Sequence, residues 1–315
     1  MRYVINKPEH GSQDWLTARW KDSNNRARIS ASVAGAVHGE NPFTSAADLA
    51  FELLAAQPPE PKEPTQAMER GNRLEPLIMK WAADLEHIDL NTPDQMYCYD
   101  DGRANLIATL DALDNDGIPY EIKTSTRRWD GVLPRYWYWQ GVQQSICTGA
   151  DVIEWVIFDS AMQIHRHTQY VTSDEQQIHI QACAQFLTHI HNGELPPDAI
   201  PEYKHAEMWY PESISNSVEL PDESTVVLAW LHEVREQKRE LEKKEDELKA
   251  SIALLLGEAD TGKIHGVPVI TWRTNTRSSI DTKQLQLDHP ALCEKYKKET
   301  SYRVMKLTPA KGDKQ

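Results

Sequence analysis

The sequence predicts a mixed α/β core followed by a charged helical appendage, and three observations carry that expectation. Short apolar strands and amphipathic helices succeed one another to about residue 205. The segment IATLDALDNDGIPYEIKTST (107–126) reads as a hairpin with two acids and a lysine set among apolar residues. From Pro221 onward the character changes, and EVREQKRELEKKEDELK (233–249) is almost entirely charged.

The elements follow in order. Ser12 caps a helix over SQDWLTARW, with Arg19 four residues after Trp15 on one face. In RISASVAGAVHG, Ile29 enters, Ser30 or Ser32 caps, and small residues carry a helix to Gly39. Asn41-Pro42 turns the chain, and Thr44 or Ser45 caps a helix to about Ala56. Four prolines in QPPEPKEPT (57–65) make a mobile loop. AMERGNRLEPLIMKWAADLE predicts a longer helix, kinked beside Glu75 because Pro76 lacks a donor and crowds the Asn72 carbonyl.

After the hairpin, Pro134 opens a helix over RYWYWQGVQQSICTG. Strands at DVIEWVIF (151–158) and QIHRHTQYV (163–171) precede a helix from about Asp174 to His191, closed by Asn192-Gly193. Val234, Leu241, Leu248 and Leu255 then recur every seven residues. That stripe suits a long exposed helix from about Glu223 to Leu256, or a short coiled coil. A strand at VPVITWRT, a helix near 282–297 and a last strand at YRVMKL (302–307) complete a small α+β tail. The expected divisions are a core over 1–205, a linker over 206–221 and an appendage over 222–315.

Length and charge narrow the class. A chain of 315 residues can bury one large core, or a core plus an appendage. The net charge of −14 argues against a protein that coats nucleic acid non-specifically, but not against a local basic cleft. MRYVINKPEH resembles no signal peptide and no apolar run is long enough to span a bilayer, so a soluble, intracellular protein without membrane contact is expected. Cys98, Cys147, Cys183 and Cys293 lie far apart, as reduced structural thiols do.

The hairpin raises the chemical question. With its turn between Asn115 and Asp116, Asp111 and Glu121 fall across from each other. Like charges opposed in a ladder repel, and Asp111, flanked by Leu110, Ala112 and Leu113, is costly to bury alone. Glu121 and Lys123 project from one face of their strand and Ile122 from the other. A divalent cation between the carboxylates would remove the repulsion, and oxygen-only ligation suits Mg²⁺, with Mn²⁺ as a substitute. Lys123 would then orient a water or stabilise charge on a phosphoryl oxygen. The plain alternative is a solvent-facing hairpin in which Glu121 and Lys123 form a weak surface pair. Likewise Glu75 reads alternatively as a solvated helix acid, Arg19 as a chain snorkelling over Trp15, Ser32 as a cap, and the glutamines as surface residues.

D-x9-E-x-K on adjoining strands resembles the PD-(D/E)xK nuclease core. The order W-L-T-A-R, I-S-A-S, G-N-R-L-E, T-L-D-A-L, E-I-K-T and W-Q-G-V-Q-Q-S-I-C-T-G resembles the lambda-exonuclease-like, or YqaJ-type, phage recombination nucleases, across about residues 10 to 200. The resemblance implies a restriction-endonuclease-like core, a mixed central sheet flanked by helices. Carried over, it makes Glu75, Asp111, Glu121 and the Ile122 carbonyl metal ligands and Lys123 the catalytic lysine. Gln140 and Gln144 would hold the site and its water, and Arg19 and Ser32 would bind a DNA 5′-phosphate. The stretch from Arg19 to Ile29 is longer than the family's R-x-x-x-I spacing, which leaves Arg26 or Arg28 as alternatives to Arg19. QGVQQ in place of Q-x-Q leaves the choice among Gln140, Gln143 and Gln144 open.

The implied activity is a Mg²⁺-dependent deoxyribonuclease degrading double-stranded DNA from a 5′ end and leaving 3′ single strands for annealing. Its implied setting is a bacterial cytoplasm, phage or prophage encoded, as a ring-like trimer or tetramer working with a single-strand annealing protein. Two rivals stand beside it: a Cas4-type iron–sulfur nuclease, which needs clustered cysteines, and a non-catalytic DNA-end-binding adaptor. TRRWDGVLPRYWYW mixes Arg127, Arg128 and Arg135 with aromatics that suit either a DNA strand or the core. His165/His167 and His189/His191 mimic ligand pairs without a third ligand.

Overall fold

The computed structural model describes residues 1–61, 63–214, 216–298 and 302–307. It separates into two compact units, Met1–Ala206 and Glu207–Gln315. The first unit begins with β1 (Arg2–Asn6) and α1 (Gln13–Trp20), the latter capped by Ser12, whose hydroxyl accepts from the Trp15 amide. β2 (Ile29–Ser30) runs into a 3-10 turn (Ala31–Val33) and the short α2 (Ala34–Val37). α3 (Ala46–Leu54) starts with a capping box between Ser45 and Asp48. α4 (Gln66–Glu86) carries Pro76 inside it.

β3 (Gln95–Asp100), β4 (Asn105–Ala108), β5 (Ala112–Leu113) and β6 (Pro119–Thr124) follow, then α5 (Arg135–Thr148). β7 (Val152–Phe158), β8 (Ile164–Tyr170), α6 (Ser173–His191) and α7 (Tyr203–Trp209) complete the run. α7 takes up the first residues of the expected 206–221 linker.

The strands form two four-stranded sheets, ordered β1-β3-β4-β2 and β5-β6-β7-β8. β6 and β7 pair in parallel, as do β2 and β4, and the other neighbours are antiparallel. This is the mixed α/β architecture, sheets flanked by helices, that the sequence predicts. The 107–113 stretch is not one strand: β4 belongs to the first sheet, the chain leaves it at Thr109–Leu110, and β5 joins the second sheet. The turn is centred on Asp116 rather than before it, since Ala112 faces Tyr120 and Leu113 faces Pro119. Continued by one residue, that register sets Asp111 opposite Glu121.

Helix α5 is the spine of the unit. Its burial is nearly complete from Trp139 to Cys147, glutamines included. It approaches its neighbours so closely that two positions must be glycine. A Cβ on Gly141 would lie 2.1 Å from Gln169 Oε1, and one on Gly35 would lie 2.9 Å from the Tyr136 Cα. Around it Trp155, Leu106, Ile146, Ile153, Ile157 and Leu187 are fully buried, each contributing about 1.5–3 kcal/mol on transfer from water. Trp137 and Trp139 are buried while Arg127, Arg128 and Arg135 are exposed, so the aromatics of that run serve the core. Asp159 holds the intervening loop, accepting from the Trp129, Ala161 and Gln163 amides and from His165.

In the second unit α8 (Ser224–Leu256) is followed by a hairpin of β9 (Thr261–Ile264) and β10 (Val267–Thr271). The helix expected near 282–297 is two, α9 (Thr282–Asp288) and α10 (Pro290–Tyr296), because Pro290 cannot continue the first and opens the second. Residues 302–307 form no strand: among the described residues no strand pairs with them. Lys62 of the proline-rich loop lies outside the described residues. Among the described residues no helix is long and apolar enough to cross a membrane.

Candidate active site

Glu121 is the hub. It lies on β6 with 3 % of its surface exposed. Lys123 Nζ donates to its Oε1 at 2.5 Å, Gln140 Nε2 to the same oxygen at 2.5 Å, and Gln144 Nε2 to Oε2 at 2.5 Å. The geometry follows from two periods: residues two apart share a strand face, and residues four apart share a helix face. Gln143 points elsewhere. Its amide donates to the Ile29 and Ile107 carbonyls at 2.7 and 3.0 Å, and its oxygen accepts from His179 at 3.0 Å. Three neighbouring glutamines therefore divide into two at the carboxylate and one clamping α5 to β2 and β4.

Asp111 and Glu75 surround this hub. Burial, then the charges of Glu121 and Glu75, push the Asp111 carboxyl well above its ordinary value, although the Ile122 amide donates to its Oδ2 at 2.8 Å. Burial and Glu121 raise Glu75 as well. Burial acts to lower Lys123, but Glu121, then Asp111, outweigh it and the ammonium is held above its ordinary value. A solvent-facing hairpin with a weak surface pair does not describe this arrangement. Lys7 and Tyr136 also bear electrostatically on the group; Lys7 is far from it in sequence and in no motif, and Tyr136 stands one helical turn before Gln140 on α5.

The donors Glu75, Asp111, Glu121 and the Ile122 carbonyl are oxygen only, which suits a hard divalent cation. The mutual raising of the carboxyls is the signature of acids that a cation would relieve. Gln144 Oε1, buried and without a hydrogen-bond partner among the described residues, is one more oxygen at the same place. Among the described residues no three His, Cys, Asp or Glu side chains are already spaced as a ligand set. Instead Lys123 and two amides compensate Glu121. The histidine pairs hold no such set either: His165 bonds Asp159 and His189 faces Glu194.

A second polar site lies alongside. Arg19 Nη2 donates to Ser30 Oγ at 2.7 Å and to Ser32 Oγ, and its guanidinium lies 4.0 Å from the Trp15 ring centre. Neither serine caps a helix, because the chain enters through a strand and a 3-10 turn; both accept from Arg19 instead. Ser30, which the sequence offers only as a cap, thus joins Ser32 at the Arg19 guanidinium. Burial lowers Arg19 to about 10 despite the attraction of Glu52. Arg28 lines the same pocket as Arg19, but its donors are engaged by the Ala18 carbonyl at 3.0 Å, Tyr3 Oη at 2.7 Å and Asn105 at 3.3 Å. Arg26 is paired with Asp22 and Asp100. Both alternatives to Arg19 thus have side-chain donors engaged by other parts of the fold.

Arg19, Ser30 and Ser32 line a cavity of about 570 Å³, together with His10, Trp15 and Asn72. Asn72 and Glu75 are three apart on α4, so one helix face serves both the cavity and the acid cluster.

Residues 14–151 match the family model of the YqaJ-like viral recombinase domain. Among solved structures, an alkaline exonuclease (LHK-Exo) from Laribacter hongkongensis is similar at 19 % identity, with a TM-score of 0.45, over 57 % of this chain and 93 % of that one. Its complex with dAMP gives 18 % and 0.47 over the same shares. A phage related exonuclease from Haemophilus somnus 129PT gives 10 % and 0.39, over 53 % and 96 %. At those scores none informs the site. No curated protein matches the chain.

Proposed function

We propose that this chain, which carries a YqaJ-like viral recombinase domain across residues 14–151, is a DNA exonuclease acting in recombination. The observation that carries the reading is the buried Glu121, held by Lys123, Gln140 and Gln144 beside the raised acids Asp111 and Glu75. A binding module has no use for a cluster of acids that repels phosphate. Cys98 and Cys183 lie near enough to Cys147 to raise its thiol, but among the described residues no three such side chains are spaced as a ligand set, which leaves the iron–sulfur alternative without support.

Glu75, Asp111, Glu121 and the Ile122 carbonyl would hold Mg²⁺, or Mn²⁺ in its place. Bound there, the cation would activate water and offset charge on the leaving oxygen. Lys123 then shifts from compensating Glu121 to holding the water or a phosphoryl oxygen, a role that its raised proton affinity suits. Gln140 and Gln144 keep the Glu121 carboxylate aimed. Arg19 with Ser30 and Ser32 would receive the 5′-phosphate of a duplex end, a guanidinium and hydroxyls being a ready anion site. That placement suits degradation from the 5′ end; the family resemblance adds a 3′ single strand left for an annealing protein, and a ring-like trimer or tetramer in a phage-infected or lysogenic bacterial cytoplasm.

Digestion of 5′- and 3′-end-labelled duplex, with Mg²⁺ and after chelation, tests the reading. Release of 5′-terminal label only with metal supports it, and metal-independent or absent cleavage overturns it.

A further inference from the structure

The helix α8 carries no buried residue over its 33 positions. Val234, Leu241, Leu248 and Leu255 on its seven-residue stripe are 59, 67, 62 and 83 % exposed. With Val227 they form one row of a heptad pattern. Leu231, Lys238, Glu245 and Ile252, each three residues before a member of that row, form the other. A helix with apolar residues at both rows is the element of a two-stranded coil, and a charged residue at such a position selects register and orientation.

Lys238 and Glu245 decide the orientation. In a parallel pair of identical helices each would face its own copy, lysine against lysine and glutamate against glutamate, which repel. In an antiparallel pair with full overlap, Leu231 faces the second copy's Leu248, Ile252 faces its Val227, and Lys238 lies beside its Glu245. The contacts these two residues make within the helix are exposed i,i+4 pairs, Lys238 with Glu242 and Glu245 with Lys249. Pairs of that kind contribute little and are readily exchanged. The same register brings the second copy's exposed Val226, Leu228 and Trp230 to the far end of the helix. There an apolar groove lies between Leu248, Ile252 and Leu256 on one side and Ile270 and Trp272 of the β10 arm on the other.

We propose that α8 is a self-association element that pairs antiparallel with α8 of a second copy of this chain. The pairing is independent of the nuclease reading, because none of its residues belongs to the acid cluster or the Arg19 cavity.

The test uses the full-length chain. Light scattering should give Leu241→Glu/Leu248→Glu half the mass of the wild type, with duplex cleavage unchanged. Equal masses overturn the proposal. Leu231→Cys alone should not form a disulfide-linked pair on mild oxidation, whereas Leu231→Cys/Leu248→Cys should link 231 to 248 of the second copy. A 231–231 link would establish the parallel form and overturn it. Lys238→Glu should weaken association about tenfold, and Lys238→Glu/Glu245→Lys should restore it, since only the antiparallel pair exchanges these charges. Failure of that rescue overturns the orientation.

Discussion

The acid cluster and the Arg19 cavity each take a charge out of water, and they treat it differently. Glu121 receives an ammonium and two amides, so the carboxylate is compensated without any bound ion. Arg19 receives two hydroxyls, an aromatic face and the attraction of Glu52, and burial still lowers its proton affinity. Neutral acceptors satisfy hydrogen-bond geometry but return little charge. One site is thus arranged to exchange its own partners for a cation, the other to gain an anion.

The largest effects should come from breaking the acid side. Lys123→Ala or Asp111→Asn should reduce Mg²⁺-dependent cleavage by at least about 10²-fold while the fold persists, loss of one charge-stabilising group costing about that much. Cleavage at the wild-type rate by Asp111→Asn would remove that residue from the site. On the Arg19 side, wild-type protein should cut 5′-phosphorylated duplex faster than 5′-hydroxyl duplex. Arg19→Ala should erase about 10- to 100-fold of that difference, because a charge-assisted hydrogen bond contributes about 1.5–3 kcal/mol. Equal rates on both ends in the wild type would end the comparison drawn above. Arg28→Ala should instead lower the melting temperature and leave the end preference standing, because its partners are Tyr3, Ala18 and Asn105.

Gln143 sharpens the contrast within one helix. Gln143→Leu should cost about 1–3 kcal/mol of stability by stranding the Ile29 and Ile107 carbonyls. Gln144→Leu should cost cleavage first. Chemical melts and rates on the two variants separate the roles, and a like response from both would refute the division.

The smallest effects are pH-dependent and run in opposite directions. Asp111 is raised in the fold, so the native state binds its proton more tightly. Its contribution is full below 3.8 and is lost as pH rises through the folded value. Asp111→Asn should therefore be more stable than wild type at neutral pH without metal. His38 and His179, bonded to each other at 2.8 Å, are lowered by burial from 6.5 to about 4 and about 3. Their contribution is present above 6.5 and lost as pH falls through those values. Melts from pH 4 to 8 should show Asp111→Asn gaining its advantage over wild type as pH rises, and a double His38→Gln/His179→Gln variant losing less stability at the acid end.

Much of this was legible where local rules suffice. Ser12, Ser45 and Gly149 mark helix ends through their own backbone and side-chain chemistry. The strand and helix periods bring Glu121, Lys123, Gln140 and Gln144 to one point. Long-range facts were not legible. β1 and β3 are strands through pairing with each other, Arg2 with Tyr99 and Asn6 with Gln95, between distant parts of the chain that no local rule connects. The departure of the chain at Thr109–Leu110 from one sheet to the next leaves no mark in TLDAL. The choice among three glutamines depends on helix rotation against β2 and β4, and His38 meets His179 across the fold with no motif to announce it.

The ends of the two sheets bear on how the protein survives at high concentration. β2 and β5, each an outer strand, are two residues long, too short to template a foreign strand. The long outer strand β8 places His165, Arg166 and His167 together, and Arg166 is locked to Glu154 and Glu86. Short or charged margins are what keep sheets from zipping onto one another. Aggregation through β2, β5 or β8 should accordingly wait for unfolding of the first unit, and neutralising Arg166 is the change that would bring it forward at β8.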